Sequence, residues 1–129
     1  MNSFEQIKNM NFDALVLEGG SLKCAFTAGI LDVLMDSDFP EFKYYYGVSS
    51  GSMAMAYLLS KQRSNFIKVT RALVEDPNFI SYRNTFSQQG LMNLDFLQGY
   101  VHDTYPFDEE AADRNSEGKK VCIVATDHH

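Results

Sequence analysis

The sequence contains little cysteine and no long apolar run. Its two cysteines, Cys24 and Cys122, lie far apart and belong to no C-x-x-C pair, so neither a disulfide framework nor a thiolate metal site is expected. No segment approaches the ~18 consecutive apolar residues that suggest a membrane span, and the first residues lack the apolar stretch of a signal peptide. We therefore expect a cytoplasmic protein without a membrane-spanning segment.

Basic residues are also scarce, because 11 Lys and Arg face 17 Asp and Glu and give a net charge of −6. This balance argues against nucleic acid as a partner and against long-range attraction to an anionic membrane. Contact with a membrane surface would have to come from apolar side chains. The Walker pattern and G-x-G-x-x-G are both absent, and we predict no cofactor and no metal.

The chain of 129 residues suits one domain, and its 45% hydrophobic content suffices for a packed core. Apolar runs that read as buried strands alternate with segments of helical period. The predicted elements are a strand at 14–17, a helix from 25 to 36, a strand at 42–48, a buried helix at 53–59, a helix at 65–75, a loop at 78–90, short helices at 91–101 and 107–113, and a strand at 120–125.

This order predicts an α/β fold of three layers, in which helices cover both faces of a mainly parallel sheet. The chain stops at His129, shortly after the third strand and before a helix that could cover it. Three strands make a narrow sheet with exposed edges. We therefore expect residues 1–129 to be the amino-terminal portion of a longer domain, and an exposed sheet edge would allow self-association.

The segment Gly47-Val48-Ser49-Ser50-Gly51 matches G-x-S-x-G. In this pattern a sharp turn between a strand and a helix lifts the serine hydroxyl out of the backbone, and the two glycines leave room for the neighbouring chain. A Tyr- and Phe-rich predicted strand precedes the motif and a buried helix follows it. Ser49 is therefore the candidate nucleophile.

A second glycine turn, Glu18-Gly19-Gly20-Ser21-Leu22-Lys23, follows the first predicted strand. Such a turn before a helix can present several backbone N–H groups to one anion, which suits an oxyanion hole or a phosphate site. The alternative is a tight turn that only reverses the chain.

Together, in this order and separated by one helix, the two motifs resemble those of the patatin-like phospholipase family. In that family a G-G-G-x-[KR]-G loop forms the oxyanion hole and a G-x-S-x-G turn carries the nucleophile. The resemblance assigns Gly19, Gly20, Ser21 and Lys23 to the oxyanion loop and Ser49 to the nucleophile. It implies a lipid acyl hydrolase whose substrate is a lipid or a related acyl ester.

Three departures from the family pattern bear on this assignment. Ser21 stands at the third glycine of the loop, and Cys24 stands at the glycine after the basic residue. A side chain at Ser21 is costly if the backbone there needs a positive φ. The family's catalytic aspartate usually lies in an Asp-Gly dipeptide, which this sequence lacks, so no base is assigned within it.

Other residues of the sequence suggest alternative sites. His102, His128 and His129 suggest a Ser-His-Asp triad or, with Asp127, a metal site, but their positions favour solvated side chains. Cys24 could be a reactive thiol or a small packing residue. The leading prediction is ester hydrolysis through an acyl-enzyme on Ser49. The alternatives are a truncated or non-catalytic domain of the same ancestry and an anion-binding or nucleotide-binding module.

Overall fold

Three strands and six α-helices form the part of the chain that the computed structural model describes, which is residues 3–37, 39–80 and 92–125. In chain order they are α1 (Ser3–Lys8), β1 (Ala14–Leu17), α2 (Cys24–Asp36), β2 (Tyr44–Val48), α3 (Ser50–Leu59), α4 (Asn65–Glu75), α5 (Leu94–Thr104), α6 (Glu109–Ser116) and β3 (Lys120–Val124). A short 3-10 turn at Ser21–Lys23 leads into α2.

The three strands make one parallel sheet in the order β1-β2-β3. Leu15 is opposite Tyr45, and Tyr45 is opposite Val121. Parallel neighbours need crossover connections, which α2 provides between β1 and β2 and α3 to α6 provide between β2 and β3. The prediction of an α/β fold with a parallel sheet is confirmed.

One face of the sheet carries the helices. Helix α3 lies directly on β2, and α2, α4 and α6 pack against α3. The apolar run that predicted a buried helix is the centre of this packing, because Ala54 and Met55 of α3 are at most 2% exposed. Around them the core contains Leu17, Cys24, Ala28, Leu31, Tyr45, Tyr57, Leu58, Leu59, Phe66, Val69, Leu73, Phe79 and Ala112.

The opposite face of the sheet is exposed, and here the expectation of strands buried on both faces is wrong. Val16 is 68% exposed and Val124 is 53% exposed, although both are apolar residues of the sheet. Successive right-handed crossovers that move in one direction place their helices on the same face. Of the three predicted layers, the described residues therefore form the sheet and one helical layer.

The observed helix ends can be compared with the predicted ones, and capping residues account for where two of the helices begin. Helix α4 has the predicted bounds, Asn65–Glu75. Helix α5 begins three residues later than predicted because Asn93 caps it, accepting a hydrogen bond from Phe96 N at 3.0 Å. Asp108 caps α6 in the same way, accepting from Ala111 N at 2.9 Å. The short helix α1 was not predicted.

None of the helices in the described ranges is both long and apolar enough to cross a membrane.

A polar contact holds α4 in position relative to α2. The Asp32 carboxylate of α2 accepts hydrogen bonds from the backbone N–H of Ser64 at 2.8 Å and from its hydroxyl at 2.9 Å. Next to it, Arg63 binds Asp36 through two hydrogen bonds of 2.6 and 2.7 Å. Because Ser64 is the residue before α4, these contacts fix where that helix begins.

A second ion pair joins the segment before β2 to the segment before β3. Lys119 Nζ lies 2.8 Å from Glu41 Oε2, and the Lys119 side chain is only 14% exposed. The hydrogen bond from Lys119 is the largest effect and lowers the pKa of the Glu41 carboxyl; burial opposes it, and the charges of Lys119 and Lys61 add to the lowering. The ionised form of Glu41 is therefore the form that the folded chain favours.

The Glu41→Gln variant should lose up to about 1 kcal/mol of the free energy of unfolding at pH 7. Because the pKa is lowered on folding, this contribution is present above the unfolded value of about 4.3 and disappears as the pH falls through the lower folded value. Urea unfolding at pH 7 and at successively lower pH measures it, and the difference between the two chains should shrink as the pH falls. Glu75→Gln, which removes an exposed pair with Arg71 at 3.4 Å, is the control and should change little. A difference for Glu41→Gln that does not shrink as the pH falls would contradict the assignment.

Candidate active site

Ser49 occupies the turn between β2 and α3. Its backbone has φ 52° and ψ −127°, a conformation that non-glycine residues avoid and that costs about 1–3 kcal/mol. The Ser49 side chain is exposed, and its carbonyl accepts a hydrogen bond from Ser52 N at 2.9 Å, which starts α3. The strand and the helix hold the strained residue between them.

The two glycines of the motif are required by close backbone contacts. A Cβ atom at Gly47 would lie 2.7 Å from Ser52 Cα. At Gly51 it would lie 2.5 Å from the carbonyl oxygen of Glu18 and would also overlap that of Leu17. Gly51 thus lets the first turn of α3 rest on the end of β1.

The first glycine loop lies against the Ser49 turn. A Cβ atom at Gly19 would lie 3.0 Å from Ser49 Cβ and 3.1 Å from Val48 O, so no side chain fits there without displacement. Gly20 has φ 153°, which favours glycine. The two motifs, separated by one helix in the sequence, therefore meet at the carboxyl ends of β1 and β2.

Several backbone N–H groups of the two motifs have no acceptor among the described residues. The N–H groups of Gly19, Gly20 and Ser50 donate to no acceptor among the described residues. Lys23 differs, because its N–H bonds to Gly20 O at 3.1 Å and its side chain is exposed. Ser50 was not among the residues predicted for the oxyanion hole. The signal for it is its position directly after the nucleophile, where hydrolase turns commonly supply one donor.

The backbone at Ser21 has φ 52°, so this position does adopt the conformation in which glycine is preferred. The Ser21 hydroxyl donates to Met92 Sδ at 3.2 Å. That contact brings the loop next to the chain that leads into α5. Serine is accommodated at the family's third glycine with strain in the backbone.

Cys24 is a buried thiol at the start of α2, only 2% exposed. Its Sγ lies 2.8 Å from Ser50 Oγ and 3.8 Å from Glu18 O. The thiol therefore connects the helix after the glycine loop to the first residue of α3. This placement agrees with the packing alternative for Cys24 rather than with a reactive thiol.

An apolar cavity of about 140 Å³ opens beside Ser49. Ser21, Ser49 and Ser50 lie at its polar end. The other lining residues come from the 3-10 turn, from α3, α4 and α5, and from the chain between α4 and α5. They are Leu22, Met53, Phe66, Val69, Thr70, Leu73, Phe79, Met92, Leu94 and Leu97. Thr70 does not make this lining polar, because its hydroxyl donates to Phe66 O at 2.8 Å.

A base for Ser49 is not found among the described residues. The Ser49 hydroxyl makes no hydrogen bond with any of them. His102 lies exposed on α5, while Asp127, His128 and His129 fall outside the described residues. Within residues 3–37, 39–80 and 92–125, no three His, Cys, Asp or Glu side chains are grouped to hold a metal ion.

A parallel sheet with a strained serine at a strand-to-helix turn, and a glycine loop beside it, is the arrangement of α/β proteins that carry a serine nucleophile on such a turn. The family model described as patatin-like phospholipase matches residues 15–125. The chain belongs to this family.

A curated relative, the uncharacterized protein YjjU of Escherichia coli (strain K12), is 30% identical over 119 residues. The match covers 90% of this chain and 33% of the relative, so the chain spans about a third of that relative's length. No solved structure matches the chain.

The Gly51→Ala variant should lose about 3 kcal/mol or more of the free energy of unfolding, because its methyl group would overlap two backbone carbonyls that cannot move independently. Gly29→Ala in α2 is the matched control, since a Cβ atom there meets nothing within 4 Å. It should gain about 0.5–1 kcal/mol from helix propensity. Urea unfolding followed by circular dichroism measures both, and equal effects would refute the contact.

The Ser21→Gly variant should gain about 1 kcal/mol of stability, because glycine relieves the cost of a positive φ. The control is Ser37→Gly, whose φ of −114° suits any residue and which should lose stability through the greater freedom of the unfolded chain. Thermal and urea unfolding of the three chains provide the comparison. A loss of stability in Ser21→Gly would show that the contact with Met92 outweighs the backbone strain.

Proposed function

We propose that these residues carry the nucleophile and the oxyanion hole of a serine-dependent hydrolase that cleaves carboxylic esters in lipids. The observation that supports this most directly is the contact between the two motifs at Ser49, with the apolar cavity opening on the same hydroxyl. Membership of the patatin-like phospholipase family supports the lipid substrate class. The proposed domain is the amino-terminal portion, residues 1–129, of a longer patatin-like domain.

In the proposed reaction, Ser49 Oγ attacks the ester carbonyl carbon and loses its proton to a base. The tetrahedral intermediate collapses, the bond to the alkoxy oxygen breaks, and the alcohol leaves with that proton. Water then attacks the acyl-enzyme, which releases the carboxylic acid and restores the Ser49 hydroxyl. Strain at Ser49 helps to keep the hydroxyl exposed at the turn.

The negative charge on the former carbonyl oxygen needs donors that are already in place. We propose that the N–H groups of Gly19, Gly20 and Ser50 supply them, with Ser21 shaping the loop. One such donor is worth about 10²–10³ in rate. Lys23, with its N–H already bonded, contributes positive charge near the loop through its side chain.

The base is proposed to be an aspartate outside the described residues, as the family resemblance implies. Two features support a longer domain. The chain spans a third of its curated relative, and an apolar sheet face that includes Val16 and Val124 is exposed. The edge of β3 offers a place for a further strand, or for self-association with a second chain.

Two properties of the surroundings complete the proposal. The unpaired thiols of Cys24 and Cys122 suit a reducing, cytoplasmic compartment. Transient contact with a lipid surface would use exposed apolar side chains such as Phe26, which is 79% exposed on α2. The proposed reaction involves neither nucleic acid nor a cofactor.

One observation favours a second candidate, a patatin-like domain that binds an acyl ligand without turnover. The Ser49 hydroxyl has no hydrogen-bond partner among the described residues, and an unactivated serine is a poor nucleophile. Covalent labelling separates the two candidates, since only the hydrolase has an activated Ser49.

A fluorophosphonate probe should label Ser49 in the protein that carries these residues together with the base. Ser49→Ala should abolish labelling, because the probe bonds to that oxygen. Ser52→Ala is the control: the Ser52 hydroxyl is buried without a hydrogen-bond partner in the described structure, so the variant should fold and label normally. Mass spectrometry of the labelled peptide gives the position. Labelling that survives Ser49→Ala would refute the assignment, and an unlabelled wild-type protein would support the non-catalytic candidate.

A further inference from the structure

We propose that the cavity beside Ser49 binds a straight acyl chain of about six carbons and that Leu97 sets this limit. The inference rests on the proposed function, because it assigns the acyl half of the ester to the cavity. It adds a size class for the substrate and a residue that selects it. Neither follows from the two glycine motifs.

The direction in which an ester would enter follows from the distribution of polar groups. Ser21, Ser49 and Ser50 lie together where the cavity meets the glycine loop. Beyond them the wall is apolar, and Val69 and Leu73 at its base are only 1% and 4% exposed. A headgroup or alcohol would lose its hydration there without gaining a hydrogen bond. The acyl chain therefore lies inside and the alcohol portion stays near the mouth.

The size of the cavity limits the length of that chain. Its volume is about 140 Å³. An apolar cavity of about 150 Å³ holds one benzene molecule, a ligand of six carbons. An unbranched acyl tail of about six carbons fills a similar space, and each further methylene has to leave the cavity or displace its wall.

Leu97 and Met53 form a shared wall between this cavity and a second, more open groove of about 690 Å³. The groove is also lined by the apolar residues Val101, Pro106 and Phe107 and by the polar residues Gln98, His102 and Glu109. Both wall residues are half-buried, and Leu97 lies on the cavity side of α5. Shortening Leu97 would join the two spaces and let a longer chain extend along the apolar side chains of the groove.

The test measures binding of methyl esters of straight-chain acids, from two to twelve carbons, to the protein that carries these residues, with Ser49→Ala so that the esters stay intact. Calorimetric titration should show affinity rising about fourfold per methylene and levelling off near about six carbons. With Leu97→Ala added, the rise should continue to at least about ten carbons. With Leu97→Phe added, it should stop near about four carbons.

Leu34→Ala is the matched control, because Leu34 is a half-buried leucine on α2 that lines neither space. It should keep the limit of the parent chain, and circular dichroism checks that each variant is folded. Any of three results would overturn the inference. The affinity could rise without a limit up to twelve carbons, both Leu97 variants could leave the limit unchanged, or no ester could bind. Because binding is measured without turnover, a limit that moves as expected, together with failed labelling of Ser49, would reject only the hydrolase.

Discussion

The close approach of α3 to the end of β1 is the constraint on which the site depends. Gly51 rests against the carbonyl oxygens of Leu17 and Glu18, which allows no side chain between the helix and the strand. This contact draws the turn that contains Ser49 toward the loop that contains Gly19. The positive φ at Ser49 follows from it, because the chain must pass from β2 into a helix that begins immediately after that residue.

The hydrophobic core beneath the site stabilises the fold enough to offset the backbone strain of this arrangement. Helix α3 is buried by α2, α4 and α6, and its hydrophobic contacts offset the cost of unusual backbone at Ser49 and Ser21. The same packing brings α4 and α5 to the side of Ser49. The apolar cavity is thus part of the surface that buries α3, so the cavity lining and the hydrophobic core share residues such as Val69 and Leu73.

The departures from the family's glycine loop have different consequences. Ser21 has the positive φ of the glycine position, which strains its backbone, and its hydroxyl donates a hydrogen bond to Met92. Cys24 has an ordinary helical backbone with φ −64° and fills space against Ser50. A glycine there is therefore not required by the local conformation, and the thiol instead joins the two halves of the site.

The sequence by itself determined the succession of strands and helices along the chain, the bounds of α4 and the identity of the serine turn, because each depends on local patterns of apolar residues and glycines. It also marked Gly19 and Gly47 as special. Only the tertiary structure decided that Gly19 contacts Ser49, that Ser21 is strained, and that one face of the sheet is exposed at Val16. It also decided that α4 and α5 enclose a cavity. These features arise from contacts between residues far apart in the chain. The periodicity of apolar residues shows which face of a helix or strand is buried, but it does not show which distant element packs against that face.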